Sequence, residues 1–157
     1  MDKLKTCCFI GHRHISMDEE KLMEKTSVLI MRAINQGYTY FVSGGEIGFD
    51  MIASEMICFF KDLPLLKNIK LEIAVPYKEH DIKYSNVQKH RYKFISNYAD
   101  KIRQSRLPRH RSCYILRNKY MVSKSALVIA YYEQDKTGRT KNTLDYAVKS
   151  DKEIWYV

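Results

Sequence analysis

A glycine-rich turn between two apolar segments constrains the fold of this chain more than any other feature. The turn reads Ser-Gly-Gly-Glu-Ile-Gly-Phe-Asp over residues 43–50; it follows the apolar run Tyr38–Val42 and precedes a segment with helical periodicity. A strand that ends at glycines and restarts as a helix presents backbone N–H groups at the positive end of the helix dipole, which favours an anion such as phosphate. Similar junctions follow the first and the last long apolar runs, at residues 11–13 and 137–140. Three such loops predict a phosphate-bearing small molecule held along one edge of a parallel sheet.

The spacing of apolar residues predicts strands that alternate with helices along the whole chain. Ser16 and Glu19 have the spacing of a capping box for the first helix, and Gly37 is a good C-terminal stop for it. We expect strands over 5–10, 39–42, 71–75, 101–104, 126–132 and 154–157, and helices over 16–36, from 49 to near Pro64, from about Ser85, over 114–123 and over 142–149. This alternation predicts an α/β fold with a parallel sheet covered by helices on both faces.

Within the predicted helices, apolar stripes indicate the faces that pack inward. In the helix after the glycine turn the stripe comprises Ile52, Met56, Phe59 and Phe60. In the helix from Ser85 it comprises Val87, Arg91, Phe94, Ile95, Tyr98 and Ile102. In a parallel sheet, ligands bind outside the carboxyl ends of the strands, so the three glycine loops can converge although they are far apart in sequence.

Length and composition indicate one domain over residues 1–157 with a packed core, because 45% of the residues are hydrophobic. No stretch approaches the roughly 20 apolar residues of a membrane span, and the run Cys7–Ile10 is too short for a signal peptide. The chain is therefore expected to be cytoplasmic and to have no membrane partner. The four cysteines contain no C-x-x-C pair, and His12 and His14 lack a helical metal-binding spacing. We expect buried, reduced thiols and no metal site.

The positive charge is concentrated in the middle of the chain. Residues 67–124 hold 15 of the 27 Lys and Arg residues but only 4 of the 18 acidic residues. A basic segment of this kind suggests an anionic partner, either nucleic acid or a phosphorylated ligand, although a solvated helix face followed by a basic loop over 105–113 would give the same pattern.

Several polar residues at the predicted strand ends are candidates for ligand contacts. Gly11 lets the backbone approach a ligand, and Arg13 can form a forked contact with phosphate or a surface salt bridge. Asp50, which Glu46 borders, either stabilises the start of a helix or accepts a hydrogen bond from a ribose hydroxyl. Arg117 and Asn118, at the opening of a short helix, could contact phosphate and sugar or simply face solvent.

Taken together, these motifs resemble the YpsA-like branch of the SLOG superfamily, which joins the DNA-processing protein Smf/DprA and the cytokinin-activating LOG phosphoribohydrolases. The residues that carry the resemblance, in chain order, are Gly11, His12, Arg13; Ser43, Gly44, Gly45, Gly48, Asp50, Ala53, Glu55; Arg117, Asn118, Met121, Val122; and Thr137, Gly138, Arg139, Thr140, Thr143, Tyr146, Ala147. The resemblance spans nearly the whole chain. It implies a Rossmann-like three-layer sandwich with a mostly parallel central sheet and a pocket for a nucleotide or an ADP-ribose-like molecule. The ligand-binding set that follows is Gly11, His12, Arg13, Ser43, Gly44, Gly45, Glu46, Asp50, Arg117, Asn118, Gly138 and Thr140.

Two departures from the family pattern bear on activity. Arg139 stands where relatives have a second glycine, and Thr143 stands where LOG enzymes have a glutamate. The resemblance therefore favours a sensor or regulatory domain that binds a nucleotide-like molecule without a further cofactor. A LOG-like N-glycosidic hydrolase or transferase is the alternative, if Asp145, Glu55 or Glu46 replaces the missing carboxylate.

A second alternative is a DprA-like nucleic-acid binder that uses residues 67–124. The aromatic residues of this segment are Tyr84, Tyr92, Phe94, Tyr98 and Tyr114. The relatives also suggest a homo-oligomer.

Overall fold

A single six-stranded sheet forms the centre of the computed structural model, which describes residues 2–105, 109–110, 112–134 and 137–157. Its strands run in the spatial order β4-β3-β2-β1-β5-β6, and all five neighbouring pairs are parallel. The strands are β1 (Thr6–Gly11), β2 (Tyr40–Ser43), β3 (Lys70–Val75), β4 (Lys101–Gln104), β5 (Leu127–Tyr131) and β6 (Glu153–Tyr156). This confirms the predicted α/β, Rossmann-like fold.

Helices cover both faces of the sheet. They are α1 (Glu19–Asn35), α2 (Phe49–Lys61), α3 (Asn86–Tyr98), α4 (Ser112–Lys124) and α5 (Arg139–Lys149). The first three pack on one face and the last two on the other, because successive strand residues contribute to different core clusters: Phe9 packs with α1 to α3, and Ile10 packs with α4 and α5. The three-layer sandwich is thereby confirmed.

The two core layers contain the residues that the apolar runs predict. On the α1–α3 side, the rings of Phe9 and Phe41 stack with centroids 6.0 Å apart. All four cysteines are free and buried, as expected. Burial raises the pKa of the Cys8 thiol to about 12, which keeps it protonated and unreactive at neutral pH. No helix in the described part of the chain is both long and apolar enough to traverse a bilayer.

The start of α1 differs from the predicted capping box. The helix begins at Glu19, and the side chain of Asp18 caps it by accepting from the Lys21 N–H. Ser16 instead donates its hydroxyl to Glu133 at 2.7 Å, a contact across the chain that no local pattern could show. The capping box lies at α3, where Ser85 and Gln88 bond each other's backbone N–H groups.

Some boundaries and faces of the other helices also differ from the prediction. Phe59 is 61% exposed, because α2 is buried through its other faces, which hold Phe49 to Ser54 and Ile57. Helix α3 ends at Tyr98, so Ile102 belongs to the edge strand β4 and not to the helical stripe. Val87 and Phe94 of that stripe are exposed.

The C-terminal helices begin earlier than predicted. Helix α4 includes Ser112 and Cys113 of the predicted basic loop, and residues 106–108 and 111 of that loop lie outside the described residues. Arg117 consequently lies in the middle of α4 and not at its opening. Helix α5 starts at Arg139, which places Arg139 and Thr140 in its first turn.

Candidate functional site

A small cavity lies at the carboxyl edge of the sheet, where β1 ends between the two C-terminal helices. Its volume is about 60 Å³, far below the roughly 300–1,000 Å³ of pockets that enclose whole small-molecule ligands. The residues that line it are Ile10, Gly11, Arg13, Glu46, Asp50, Tyr114, Arg117, Asn118, Arg139 and Thr140. The end of β1, the glycine turn after β2 and the helices α4 and α5 thus meet at one place, as the loop positions predict.

The last residue of β1 is Gly11, and the segment after β1 supplies Arg13. Gly11 packs so closely against α2 that an added Cβ would lie 2.5 Å from the Cβ of Phe49. Its carbonyl accepts a 3.2 Å hydrogen bond from the Thr140 hydroxyl, which ties the first turn of α5 to β1. Arg13 forms an ion pair with Glu46 of the glycine turn. Burial disfavours the charged guanidinium, but the neighbouring Glu46 and Tyr114 outweigh this and raise the pKa of Arg13.

The glycine turn is held by hydrogen bonds within the protein. The N–H of Gly44 donates to the Asp50 carboxylate at 3.1 Å, that of Gly45 to the Ser43 hydroxyl at 3.3 Å, and that of Phe49 to the His12 carbonyl at 3.1 Å. These three donors are therefore occupied within the protein and are not open to an anion. The turn shapes the cavity, whereas side chains supply its positive charge.

Arg117 is the central cation of the site. It is 7% exposed and crosses from α4 to the strand ends, where its Nη1 donates to the carbonyls of Gly44 and, at 3.3 Å, of Ala74. Its Nη2 lies 3.5 Å from the Glu46 carboxylate, and its buried Nε has no hydrogen-bond partner among the described residues. Gly44 is required at this crossing, because an added Cβ would lie 1.9 Å from Nη1.

Asp50 is a buried carboxyl group whose pKa lies near neutral pH. Burial raises its pKa, and repulsion from Glu46 adds to the effect, while Arg117, the Gly44 N–H and Arg13 act in the opposite direction; the result is a pKa of about 7. Asp50 can therefore donate or accept a hydrogen bond at physiological pH, and strongly perturbed carboxyls in clefts are frequent in functional sites.

An aromatic ring that the sequence assigned only to the basic segment forms one wall of the cavity. The guanidinium of Arg139 lies 4.3 Å from the centre of the Tyr114 ring, that of Arg13 at 5.4 Å and that of Arg117 at 6.0 Å. The available signal was spacing: Tyr114 and Arg117 are three residues apart in α4 and share one face. Three cations around one ring form a positively charged rim.

Asn118 and Thr143 link the two helices beside the cavity. The Asn118 amide donates to the Thr143 hydroxyl at 2.9 Å, and that hydroxyl donates to the Arg139 carbonyl at 2.8 Å. Thr143 is thus buried and engaged in bonds that position α5.

Five predicted site residues support the cavity without lining it. The hydroxyl of Ser43 bonds to the Asp50 carbonyl at 3.1 Å, and the ring of His12 stacks on Tyr132 with centroids 5.5 Å apart. Gly138 caps α5 with a φ of 118°, and no side chain among the described residues caps that helix. The remaining two, Gly44 and Gly45, form the turn itself.

The three carboxylates proposed to replace the missing glutamate differ in whether they line the cavity. Glu55 pairs with Arg91 at 2.6 Å, and Asp145 pairs with Lys141 at 2.8 Å on the outer face of α5. Neither lines the cavity; Glu46 does, together with Asp50. In the described ranges, no three His, Cys, Asp or Glu side chains are grouped as metal ligands would be.

The YpsA family model, described as the YspA SLOG family, matches residues 15–157. The chain belongs to this family. A prophage-derived, uncharacterised relative, YoqJ of Bacillus subtilis, is 33% identical over 83% of this chain and 82% of its own length. A UPF0398 protein of Halalkalibacterium halodurans is 25% identical over 81% of this chain and 67% of its own. A UPF0398 protein of Bacillus cereus is matched over only 65% of its length.

Two solved structures share the fold of this SLOG family member. DNA processing protein A from Helicobacter pylori, described for its single-stranded DNA binding mode, superposes with a TM-score of 0.66 at 22% identity, over 99% of this chain and 65% of that chain. The structural-genomics target TM1055 superposes with a TM-score of 0.60 at 14% identity, over 96% of this chain and 72% of that chain. At these identities the likeness establishes the fold.

Proposed function

We propose that this SLOG domain binds a nucleotide or an ADP-ribose-like molecule through its phosphate groups, as a sensor or regulatory domain. The observation that carries the proposal is Arg117, a buried guanidinium at the carboxyl edge of the sheet whose Nε meets no acceptor in the described part of the chain. A buried donor without a partner is costly, and an anionic oxygen in the cavity would satisfy it.

The dimensions of the site fit a phosphate group better than a whole nucleotide. The cavity of about 60 Å³ adjoins a larger cleft of about 610 Å³ that shares Arg117 as a wall. The other residues of the cleft are Ala74, Val75, Arg103, Gln104, Ser105, Leu116 and Tyr120. The phosphate would enter the cavity, and the rest of the ligand would extend into a cleft of nucleotide size.

Binding without turnover is favoured by the surroundings of the carboxylates. The buried hydroxyl of Thr143 cannot act as a carboxylate nucleophile or base, and Glu46 is engaged by Arg13 and Arg117. Asp50, with its pKa of about 7, is the group of the site that could support a LOG-like hydrolase instead.

A nucleic-acid ligand is the second candidate. Cations are exposed on α3, α4 and the edge strand β4, among them Lys89, Lys101, Arg103 and Lys119. The Helicobacter pylori protein with the same fold is described as binding single-stranded DNA. Binding of that kind would weaken steeply with salt, because each neutralised phosphate releases counterions.

Thermal denaturation in the presence of ADP-ribose, NAD and nucleoside phosphates tests the proposal. A ligand at about 100 times its Kd should raise the free energy of unfolding by roughly 2.7 kcal/mol. No shift with any of these ligands, in a protein that unfolds cooperatively, would contradict small-molecule binding. Chromatographic detection of free base after incubation with nucleoside monophosphates distinguishes the hydrolase, and the salt dependence of oligonucleotide binding distinguishes the nucleic-acid binder.

A further inference from the structure

Glu46 occupies the place between the two arginines where a ligand anion would bind. Its two carboxylate oxygens contact different guanidinium groups: Oε2 pairs with Arg13, and Oε1 lies 3.5 Å from Nη2 of Arg117. The residue is 7% exposed, so its carboxylate is largely removed from water. A carboxylate that spans two guanidiniums makes the same kind of charge-assisted contact that a phosphate makes.

The cation on the buried side of this bridge is fixed independently of Glu46. Arg117 is anchored by its bonds to the carbonyls of Gly44 and Ala74. The turn that carries Glu46 is also fixed, since the Tyr84 hydroxyl donates to the Gly45 carbonyl at 2.9 Å. Displacement of Glu46 therefore requires a side-chain rotation and leaves Arg117 in place.

The guanidinium of Arg13 can either contact an incoming ligand or keep its ion pair with Glu46. Its side chain is 38% exposed and contacts Tyr114 through its guanidinium. A group held within the same chain competes at an effective concentration in the millimolar range or above. An incoming anion must therefore bring more charge or more oxygens than the carboxylate that it replaces.

On this basis we propose that Glu46 is an internal occupant of the anion site, which selects ligands with a diphosphate group over ligands with a single phosphate. The inference rests on the proposed phosphate site and names its ligand class: nucleoside diphosphates and diphosphate-bridged molecules. A diphosphate can contact Arg13 and Arg117 at once and carries more negative charge than one carboxylate. A single phosphate offers little advantage over Glu46.

Calorimetric titration with inorganic phosphate and inorganic pyrophosphate, at constant ionic strength, tests the role of Glu46. The wild-type protein should bind pyrophosphate more tightly than phosphate. In Glu46→Gln the affinity for phosphate should rise by about tenfold or more, and the ratio between the two affinities should narrow. Glu55→Gln is the matched control, because Glu55 pairs with Arg91 away from the cavity and its loss should leave both affinities at the wild-type values.

The inference would be overturned if Glu46→Gln bound phosphate no more tightly than the wild-type protein does. It would also be overturned if neither phosphate nor pyrophosphate bound to the wild-type protein or to any variant. If Glu46→Gln does not fold, Glu46→Asp replaces it, because the shorter side chain keeps the charge but cannot reach both arginines, and the same rise in phosphate affinity is expected.

The test separates this inference from the proposed function. Pyrophosphate binding with the predicted variant effect, but no binding of any nucleotide, supports the role of Glu46 and contradicts the nucleotide proposal. If nucleotides bind and Glu46→Gln changes neither the phosphate nor the pyrophosphate affinity, the nucleotide proposal is supported and the role of Glu46 is contradicted.

Discussion

Two buried carboxyl groups of this protein have opposite surroundings. Glu72 of β3 is fully buried and accepts hydrogen bonds from Tyr40 and Tyr120, both at 2.7 Å, and from Lys101 at 3.1 Å. In the described part of the chain, the Asp50 carboxylate accepts a single hydrogen bond, from the Gly44 N–H at 3.1 Å. Burial raises the pKa of Glu72, but the three donors outweigh burial and lower it, whereas the pKa of Asp50 is raised to about 7.

The difference separates a structural cluster from a site that can accept a ligand. The Glu72 cluster is satisfied by its own side chains and stabilises the contact between the sheet and α4. The cavity cluster combines a carboxyl whose pKa lies near neutral pH with an Arg117 Nε that has no partner within the described ranges, so the residues of those ranges satisfy its polar groups only in part. Partly satisfied polar groups of this kind are where an added anion gains most.

The largest expected effect is the pH dependence that Asp50 imposes on stability. The pKa of Asp50 in the folded protein, about 7, lies above its ordinary value of 3.8, which applies to the unfolded chain. Between these two values the folded state binds more protons than the unfolded state, so the free energy of unfolding falls as the pH rises from about 4 to 7. Relative to Asp50→Asn, the wild-type protein should lose up to about 4 kcal/mol across this window.

Urea denaturation of both proteins between pH 4.5 and 8 measures this difference. His80 faces the same cluster, and burial lowers its pKa below the usual value of 6.5. Protonation of His80 therefore makes stability rise with pH in this range, opposite to the effect of Asp50. Because His80 is present in both proteins, its effect cancels in the difference between them. Asp145→Asn on the outer face of α5 is the control. If the difference in free energy of unfolding between the wild-type protein and Asp50→Asn did not change with pH, the contrast between Asp50 and Glu72 would be contradicted.

The second effect is the loss of stability on breaking the Glu72 cluster. Glu72→Gln removes the charge that Lys101 and the two tyrosine hydroxyls engage, and should cost about 3 kcal/mol at pH 7 by urea denaturation. Because the pKa of Glu72 is lowered, this contribution should disappear as the pH falls below the usual value of 4.5. Binding of inorganic phosphate, which the small cavity would hold, should be unchanged by calorimetry, and a loss of phosphate binding would show that the cluster is not purely structural.

A third effect concerns the guanidinium of Arg117. Arg117→Lys keeps the charge but loses the planar fork, so nucleotide affinity should fall by roughly 10- to 100-fold, or about 1.4–2.7 kcal/mol. Arg32→Lys is the matched control, because the Arg32 guanidinium stacks on Trp155 away from the cavity, and it should leave the affinity at the wild-type value. Unchanged binding in Arg117→Lys, measured by calorimetry, would place the ligand outside this cavity.

The smallest effect is expected at the rim. Arg139→Ala removes an exposed cation from the face of Tyr114, so stability should change by less than about 0.5 kcal/mol, and nucleotide affinity should fall by only a few-fold. A rise in affinity would instead identify Arg139 as an obstacle to the ligand, which is the role that its replacement of a family glycine suggests. Thermal shifts at several nucleotide concentrations distinguish these results.

The sequence by itself predicted the elements and the edge of the sheet at which the cavity lies. The strand and helix order, the α/β class and the positions of Gly11, Arg13, Glu46, Asp50 and Arg117 at strand ends or on a neighbouring helix follow from periodicity and turn chemistry. Both depend on residues close together in the chain. The same locality explains the errors at α1 and α5: Asp18 competes with Ser16 as a cap, and Gly138 starts a helix that the apolar pattern reveals only later.

Only the tertiary structure decided which of these groups contact one another. Arg13 and Glu46 are 33 residues apart, and Arg117 and the Gly44 carbonyl are 73 apart, so their contacts depend on the strand order β4-β3-β2-β1-β5-β6. That order also placed Tyr114 beside three arginines and joined Tyr40, Tyr120 and Lys101 to Glu72. The pKa of a buried carboxyl depends on the sum of such long-range neighbours and on its burial, and neither is encoded in the spacing of residues along the chain.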